Sequence, residues 1–420
     1  PQTLEEIKEK LPNITVKVEE ITNQPQVYQT CFVAGTCADI VYHDNMMSKY
    51  YDEGVILELT DYYERDGLDH DNDFYHGLGL TRWKGKLYGV PHMFETAVIF
   101  YNRDLVEKYW GKDLWEAFPD GNWELEDFTE VAQACTVDTD GDGKIDQWGA
   151  YFYHRSYYYG MEWFSWTVGD GIFDIENVKY NFTSDGPRRA AHYFLDAVKG
   201  PKPWIISQED YSEVTKAAGV TFPFMAQKTA MRHRMCTDTG RIIGTVGPGD
   251  GSKGFRWDIF HSPNIDGKQA VTRAGGHPNN IAKSTKYPDE AWAICRELGT
   301  SIGQKWIGRT KMAVPCYRKD PTLRGELIVG VPKHDNVILD CVEQKGGYGD
   351  HLRFHNESEA RQMFQKEMDL LYAMPYEQAK KELDNVLARL EEEMNKITDY
   401  GGEPKPYVGL QFPFRPGQVL

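Results

Sequence analysis

The chain has 420 residues, 40% hydrophobic and 13% aromatic, so it is too long for one ordinary core and is read as two domains. Its net charge of −17 argues against a nucleic-acid partner, whose phosphates select basic faces. No stretch approaches the roughly 18 apolar residues that span a bilayer. The chain begins at Pro1 without an initiator Met, which reads as a mature or trimmed chain. Cysteines stand at 31, 37, 135, 236, 295, 316 and 341 without metal-type spacing. Mostly buried free thiols are expected; Cys31 and Cys37 are near enough in sequence for a disulfide that geometry must decide.

The first segment, LEEIKEKLPNITVKVEEI, predicts the end of a helix, a Pro-Asn turn, and a strand alternating Ile14, Val16, Val18 and Ile21. The next helix ends at Gly35 and is followed by a short parallel-type strand, Ala38 to Tyr42. His43-Asp44-Asn45 then lie at that strand's carboxyl end, where open α/β sheets bind ligands. Asp44 is either the N-cap of the helix that follows or a ligand contact on the cleft rim, and Tyr42 is a candidate aromatic platform.

Leu87 to Lys108, LYGVPHMFETAVIFYNRDLVEK, organises the chain. Gly89-Val90-Pro91 is a turn signal, Ala97 to Tyr101 a buried strand, and Asn102 with Asp104 caps a helix built on Leu105, Val106 and Tyr109. This phrase resembles that of the extracellular solute-binding proteins of bacterial ABC importers, in the large family that binds sugars and oligosaccharides. There a Tyr-Gly-Val-Pro, an acidic residue and Tyr-Tyr-Asn carry the chain through the hinge between two lobes. The resemblance casts Glu95 as a polar ligand contact, with a hinge or capping carboxylate as the alternative. It also marks Ile14–Ile21 as the second strand of the first lobe. The family's usual first strand has no counterpart ahead of it, which is read as truncation or as a sheet built without that strand.

Asp138-Thr-Asp140-Gly-Asp142-Gly143-Lys144-Ile145-Asp146 has the grammar of a Ca²⁺ loop. Asp138, Asp140, Asp142, the Lys144 carbonyl and Asp146 are the expected ligands, Gly143 makes the tight turn, and the calcium is structural. The twelfth position is Gly149 instead of a bidentate Glu, so Gln147, a water or a distant carboxylate must complete the shell. The bland alternative is a solvated acidic turn. Some members of the family carry the same loop.

Residues Tyr151 to Phe173 are crowded with aromatics. Trp163 and Trp166 fall where the family has a tryptophan phrase at the cleft, so they either stack on ligand or fill the core. An amphipathic helix covers Pro187 to Lys199, and PFMAQKTAMRHRM resembles the family's helix end and strand, with Gln227 in place of a small residue. Arg273-Ala274-Gly275-Gly276-His277 follows a return crossing. Gly275 and Gly276 let backbone approach the ligand, and Arg273 is either a carboxylate clamp or an exposed side chain. The phrase IAKSTKYPDEAWAICRELGTSIGQ also matches the family and is structural, as are two helices between Glu357 and Ile397.

The resemblance implies an α/β fold of two lobes with a cleft between them and three crossings, near 101–103, 262–272 and 313–317. It divides the chain into 1–103 plus 270–313, 104–269 plus 314–400, and an extended tail, 401–420. The function implied is capture of a carbohydrate, an oligosaccharide by the aromatic abundance, and delivery to an ABC transporter permease. A monomeric extracellular or periplasmic protein follows, anchored as a lipoprotein in its full-length precursor. An acidic glycan is conceivable given Arg232, Arg234 and Arg273, though the overall charge opposes it. No HExxH, phosphate loop or paired CxxC is present. The rival class is a calcium-dependent polysaccharide lyase or glycosidase, against which the family order of phrases weighs.

Overall fold

The computed structural model describes residues 2–22, 24–42, 47–75, 81–152, 157–174, 179–343, 348–349 and 357–398. Asp44 and the tail 401–420 lie outside the described residues. One strand, Gly89–Asn102, belongs to the sheets of both lobes. Its first half pairs antiparallel with Thr272–Ile281, from Asn280 opposite Gly89 to Ala274 opposite Thr96. Its second half pairs antiparallel with Thr229–Met235 and with Trp257–Phe260. Trp148–Phe152 lies parallel beyond Thr229–Met235. Val98, Ile99, Phe100 and Tyr101 are buried, as a β-branched and aromatic run covered on both faces should be.

Gly89–Pro91, expected to turn, is strand. Pro91 faces Pro278 where the register shifts, so two residues without an N–H to donate meet at one irregularity. The strand Ile40–Tyr42 is antiparallel to Asn279–Ile281, not parallel as expected. The strand expected from Ile14 to Ile21 does not form; residues 14–20 are irregular and Val18 is 66% exposed. β alternation alone does not make a strand without a neighbour to complete its ladder.

The helix after the long strand begins as expected: the Asn102 side chain accepts from the Leu105 N–H at 3.0 Å. Gly111 ends it at φ 95°. Helices Leu125–Ala134, Tyr158–Val168 and Asp185–Lys199 enclose a core containing Phe128, Phe152, Trp163 and Phe194. The helix Tyr376–Ile397 packs on Asp185–Lys199, with the Tyr376 hydroxyl 2.7 Å from Asp196. A second core runs through Phe74, Phe94, Phe100, Trp257 and Trp292, past the point where the long strand changes sheets. Residues 262–272 return the chain to the first sheet, and Val314 exchanges backbone hydrogen bonds with Phe94. Beyond that crossing, Tyr317 bridges to Phe74 and the helix Thr322–Leu327 packs on Ile302–Arg309.

Gln227 has φ 57° at the end of a short 3₁₀ turn, which explains why a small residue is the commoner choice there.

Candidate ligand cleft and metal loop

Around the sheet change, the long strand and its neighbours assemble one wall of a site. Tyr42, the last residue of its strand, lies parallel to the His277 ring at 5.6 Å and edge-on to His92 at 5.5 Å. The Tyr28 hydroxyl donates to the Tyr42 carbonyl at 2.8 Å, tying helix Gln24–Ala34 to this position. Glu95 stands opposite Gly275 in the ladder, and its Oε1 lies 3.3 Å from His277 Nε2. A Cβ on Gly275 would sit 3.8 Å from Glu95 Oε1, an ordinary contact. Gly275 is itself buried, and glycine is not needed there to relieve a clash. Gly276 pairs with Phe94, and Arg273 is placed by its backbone on the same strand, its side chain being outside the described part.

Burial, then the neighbouring His277, push the His92 imidazole down to about 4, so it is neutral at physiological pH. Neither His92 Nδ1 nor His277 Nδ1 has a hydrogen-bond partner among the described residues. A ligand hydroxyl is one natural partner for such an atom. Sequence reasoning passed over both histidines; each comes to Tyr42 through strand register, which local spacing does not reveal.

The tryptophans land elsewhere. Trp163 is fully buried, stacked on Phe152 at 5.9 Å and tilted against His233 at 5.1 Å. Trp166 is 4% exposed, and a Cβ on Gly171 would lie 3.0 Å from its indole. Neither is an open platform; both fill the core, because helix Tyr158–Val168 is buried on nearly every side. Arg232 is buried as well and pairs with Asp238 at 2.6 Å.

At the acidic loop, ligand atoms of Asp138, Asp140 and Asp142 lie within 4.8 Å of one another, and all three residues are exposed. Asp138 accepts from the N–H groups of Gly141 (2.6 Å) and Gly143 (2.7 Å), and Gly143 has φ 87°. Those backbone bonds hold the Asp138 carboxyl below its usual range. Asp146 is not gathered with the three. It accepts from the Thr139 hydroxyl (2.6 Å) and N–H (2.8 Å) and from Lys228 (3.0 Å), and it is lowered to about 2, chiefly by the Thr139 hydroxyl. The Lys144 N–H donates to Asp142 at 2.8 Å. The twelfth position admits no Glu: any Cβ on Gly149 would overlap the Ala132 carbonyl. Three converging carboxylates on a glycine turn fit a hard cation.

Cys31 and Cys37 form a disulfide, which decides the pair that the sequence left open. Cys135, Cys236, Cys295, Cys316 and Cys341 are free and buried, as expected.

A sequence model of bacterial extracellular solute-binding proteins matches residues 2–315. The chain belongs to that family. A comparison with curated protein sequences returned no match. Among solved structures, an ABC substrate-binding protein from Listeria monocytogenes in complex with cycloalternan aligns with TM-score 0.75 at 17% identity, covering 94% of each chain. A solute-binding protein from Thermotoga lettingae bound with α-D-tagatose aligns at 0.70 and 16%, covering 94% of this chain and 95% of that one. The sugar-binding protein MalE from Xanthomonas citri aligns at 0.69 and 17%, with the same coverage. At these identities the likeness establishes the fold: two lobes of the periplasmic-binding-protein type with a cleft between them. Among the described residues no helix of this solute-binding protein is long and apolar enough to cross a membrane.

Proposed function

We propose that this solute-binding protein captures a carbohydrate, an oligosaccharide, in the interlobe cleft and delivers it to an ABC transporter permease. The observation that carries the reading is the Tyr42–His277–Glu95 wall: aromatic rings beside a carboxylate, with glycine opposite it in the ladder. Sugars pack their C–H faces on rings and need planar polar partners for their hydroxyls. The ligands bound by the aligned proteins, cycloalternan and tagatose among them, support the same class.

The lobes in this reading are 1–103 plus 270–313 and 104–269 plus 314–400. Contacts made by both lobes exist only when they close, so ligand shifts the population toward the closed form that the permease reads. The working unit is a monomer held at the cell exterior as a lipoprotein. Asp138, Asp140 and Asp142 hold a structural Ca²⁺ in the second lobe, with the Lys144 carbonyl and water in the remaining positions.

Calorimetric titration with neutral and uronic-acid oligosaccharides, with product analysis, tests the function. One-to-one binding without turnover supports it; new reducing ends or unsaturated products point to a lyase or glycosidase instead.

A further inference from the structure

Two backbone ladders follow one another along one edge of the long strand Gly89–Asn102. The first, to Thr272–Ile281, ends with Ala274 opposite Thr96. The second, to Trp257–Phe260, begins with Phe260 opposite Ile99. They share an edge because Thr229–Met235, opposite Ala97 to Tyr101, occupies the other. In the gap between the ladders stands Ala97, 2% exposed. Its N–H donates to the Thr272 hydroxyl at 3.0 Å, and that hydroxyl donates to the Ala97 carbonyl at 2.8 Å. One side-chain oxygen thus takes the place of a backbone rung, and buried backbone groups need such a partner.

Thr272 is itself anchored to the second lobe of the proposed division. The Val271 N–H before it donates to the Thr167 hydroxyl at 3.2 Å. Thr272 and Arg273 pair parallel with Tyr348 and Gly349. Ala97 likewise stands opposite Met235, whereas Thr96 and Ala274 face each other in the first sheet. Each crossing therefore changes partners within one peptide unit, at Thr96–Ala97 in one and at Arg273–Ala274 in the other. The Thr272 hydroxyl fastens the two crossings together beside that line. Thr272 is 3% exposed, so little water competes for its bonds.

We infer that the Thr272 hydroxyl couples these two crossings, so that closure bends them as one hinge at Thr96–Ala97 and Arg273–Ala274. The inference rests on the closure reading and names the side chain that holds the axis. A hinge confines rotation to a few torsions, and two crossings share an axis only when both are fixed at the same level. Thr272→Val removes both bonds at nearly constant volume and lets each crossing bend over a longer stretch. Thr272→Ser keeps the hydroxyl.

The test reads the distance between nitroxides on Glu290→Cys and Lys216→Cys of the full chain by double electron–electron resonance. Both positions are exposed, on the helices Pro288–Thr300 and Gln208–Ala218 of the two proposed lobes, and the free cysteines are buried. Wild type, Thr272→Val and Thr272→Ser are compared without ligand, with melting curves and amide exchange at Ala97 alongside. In Thr272→Val the exchange at Ala97 should quicken about tenfold and the distance distribution should broaden; Thr272→Ser should restore both. Faster exchange and a lower melting temperature with an unchanged distribution make Thr272 a packing residue and overturn the coupling. Wild type is also measured with saturating maltotriose and with trigalacturonate. A shorter distance with bound glycan, together with an unchanged distribution in Thr272→Val, leaves closure standing without the coupling. Bound glycan with no change of distance removes closure, and the coupling with it. If neither glycan binds, the ligand-free comparison still decides the coupling.

Discussion

Glu95 carries two duties in the proposed function: it stands opposite Gly275 and holds His277 at 3.3 Å, and it would meet the ligand. Glu95→Gln keeps an acceptor for the imidazole but removes the charge a sugar hydroxyl would meet. Ligand affinity is expected to fall about tenfold or more with the melting temperature nearly unchanged, read by calorimetry and thermal unfolding. His92 gives a second prediction. Its folded value of about 4 lies below the roughly 6.5 of an unfolded histidine, so the fold favours the neutral ring. The resulting stability is complete above about pH 6.5 and is lost as pH falls toward 4, with a slope of up to about 1.4 kcal/mol per pH unit. Urea unfolding at pH 7 and pH 5 measures it. His92→Gln should flatten the difference but not abolish it, since burial lowers His70 too. The position of Glu95 on the long strand was legible in the sequence because a linear phrase fixes it. His92 and His277 were not, because strand register brings them together. For Trp163 and Trp166 the sequence left ligand and core open, since a run of aromatics does not say which face meets solvent, and both are buried.

At the scale of elements, helix ends were readable wherever their signal is local, as at Asn102, Gly35 and the helix Asp185–Lys199. Strands were less so: Ile14–Ile21 has the alternation but no ladder, and Gly89–Pro91 has turn residues inside a strand. The loop Asp138–Asp146 shows the same division. Its glycine turn and three converging carboxylates follow from spacing, whereas Lys228 claims Asp146 from a distant strand edge. Calcium at a hundredfold excess over its dissociation constant should stabilise the chain by about 2.7 kcal/mol. A chelator should reverse the gain, and Asp140→Asn should remove it. An unchanged melting curve with and without calcium would leave the segment as a solvated turn. The disulfide is a further local staple. It closes a short loop ahead of Tyr42, for which chain-entropy reasoning gives about 2 kcal/mol. Replacing both Cys31 and Cys37 by Ser should lower stability by that order in denaturant titration.

At the scale of the whole molecule, the strand Gly89–Asn102 changes partners between Thr96 and Ala97, and the proposed closure would bend it there. With the proposed lobe bounds, Gly240 is a contact between the lobes: its N–H meets the Lys311 carbonyl, and its Cα leaves no room for a side chain beside the Thr310 carbonyl. Gly240→Val cannot keep this arrangement without moving the two segments apart. The variant should therefore populate a more open form, seen as a larger radius of gyration in small-angle scattering without ligand. Apparent affinity then falls by the fraction of molecules still able to close, so a tenth remaining competent means about tenfold weaker binding. Ligand at saturation should restore the wild-type radius. A lower melting temperature with an unchanged radius would instead make Gly240 a packing residue of a fixed interface, and the hinge would have to bend elsewhere.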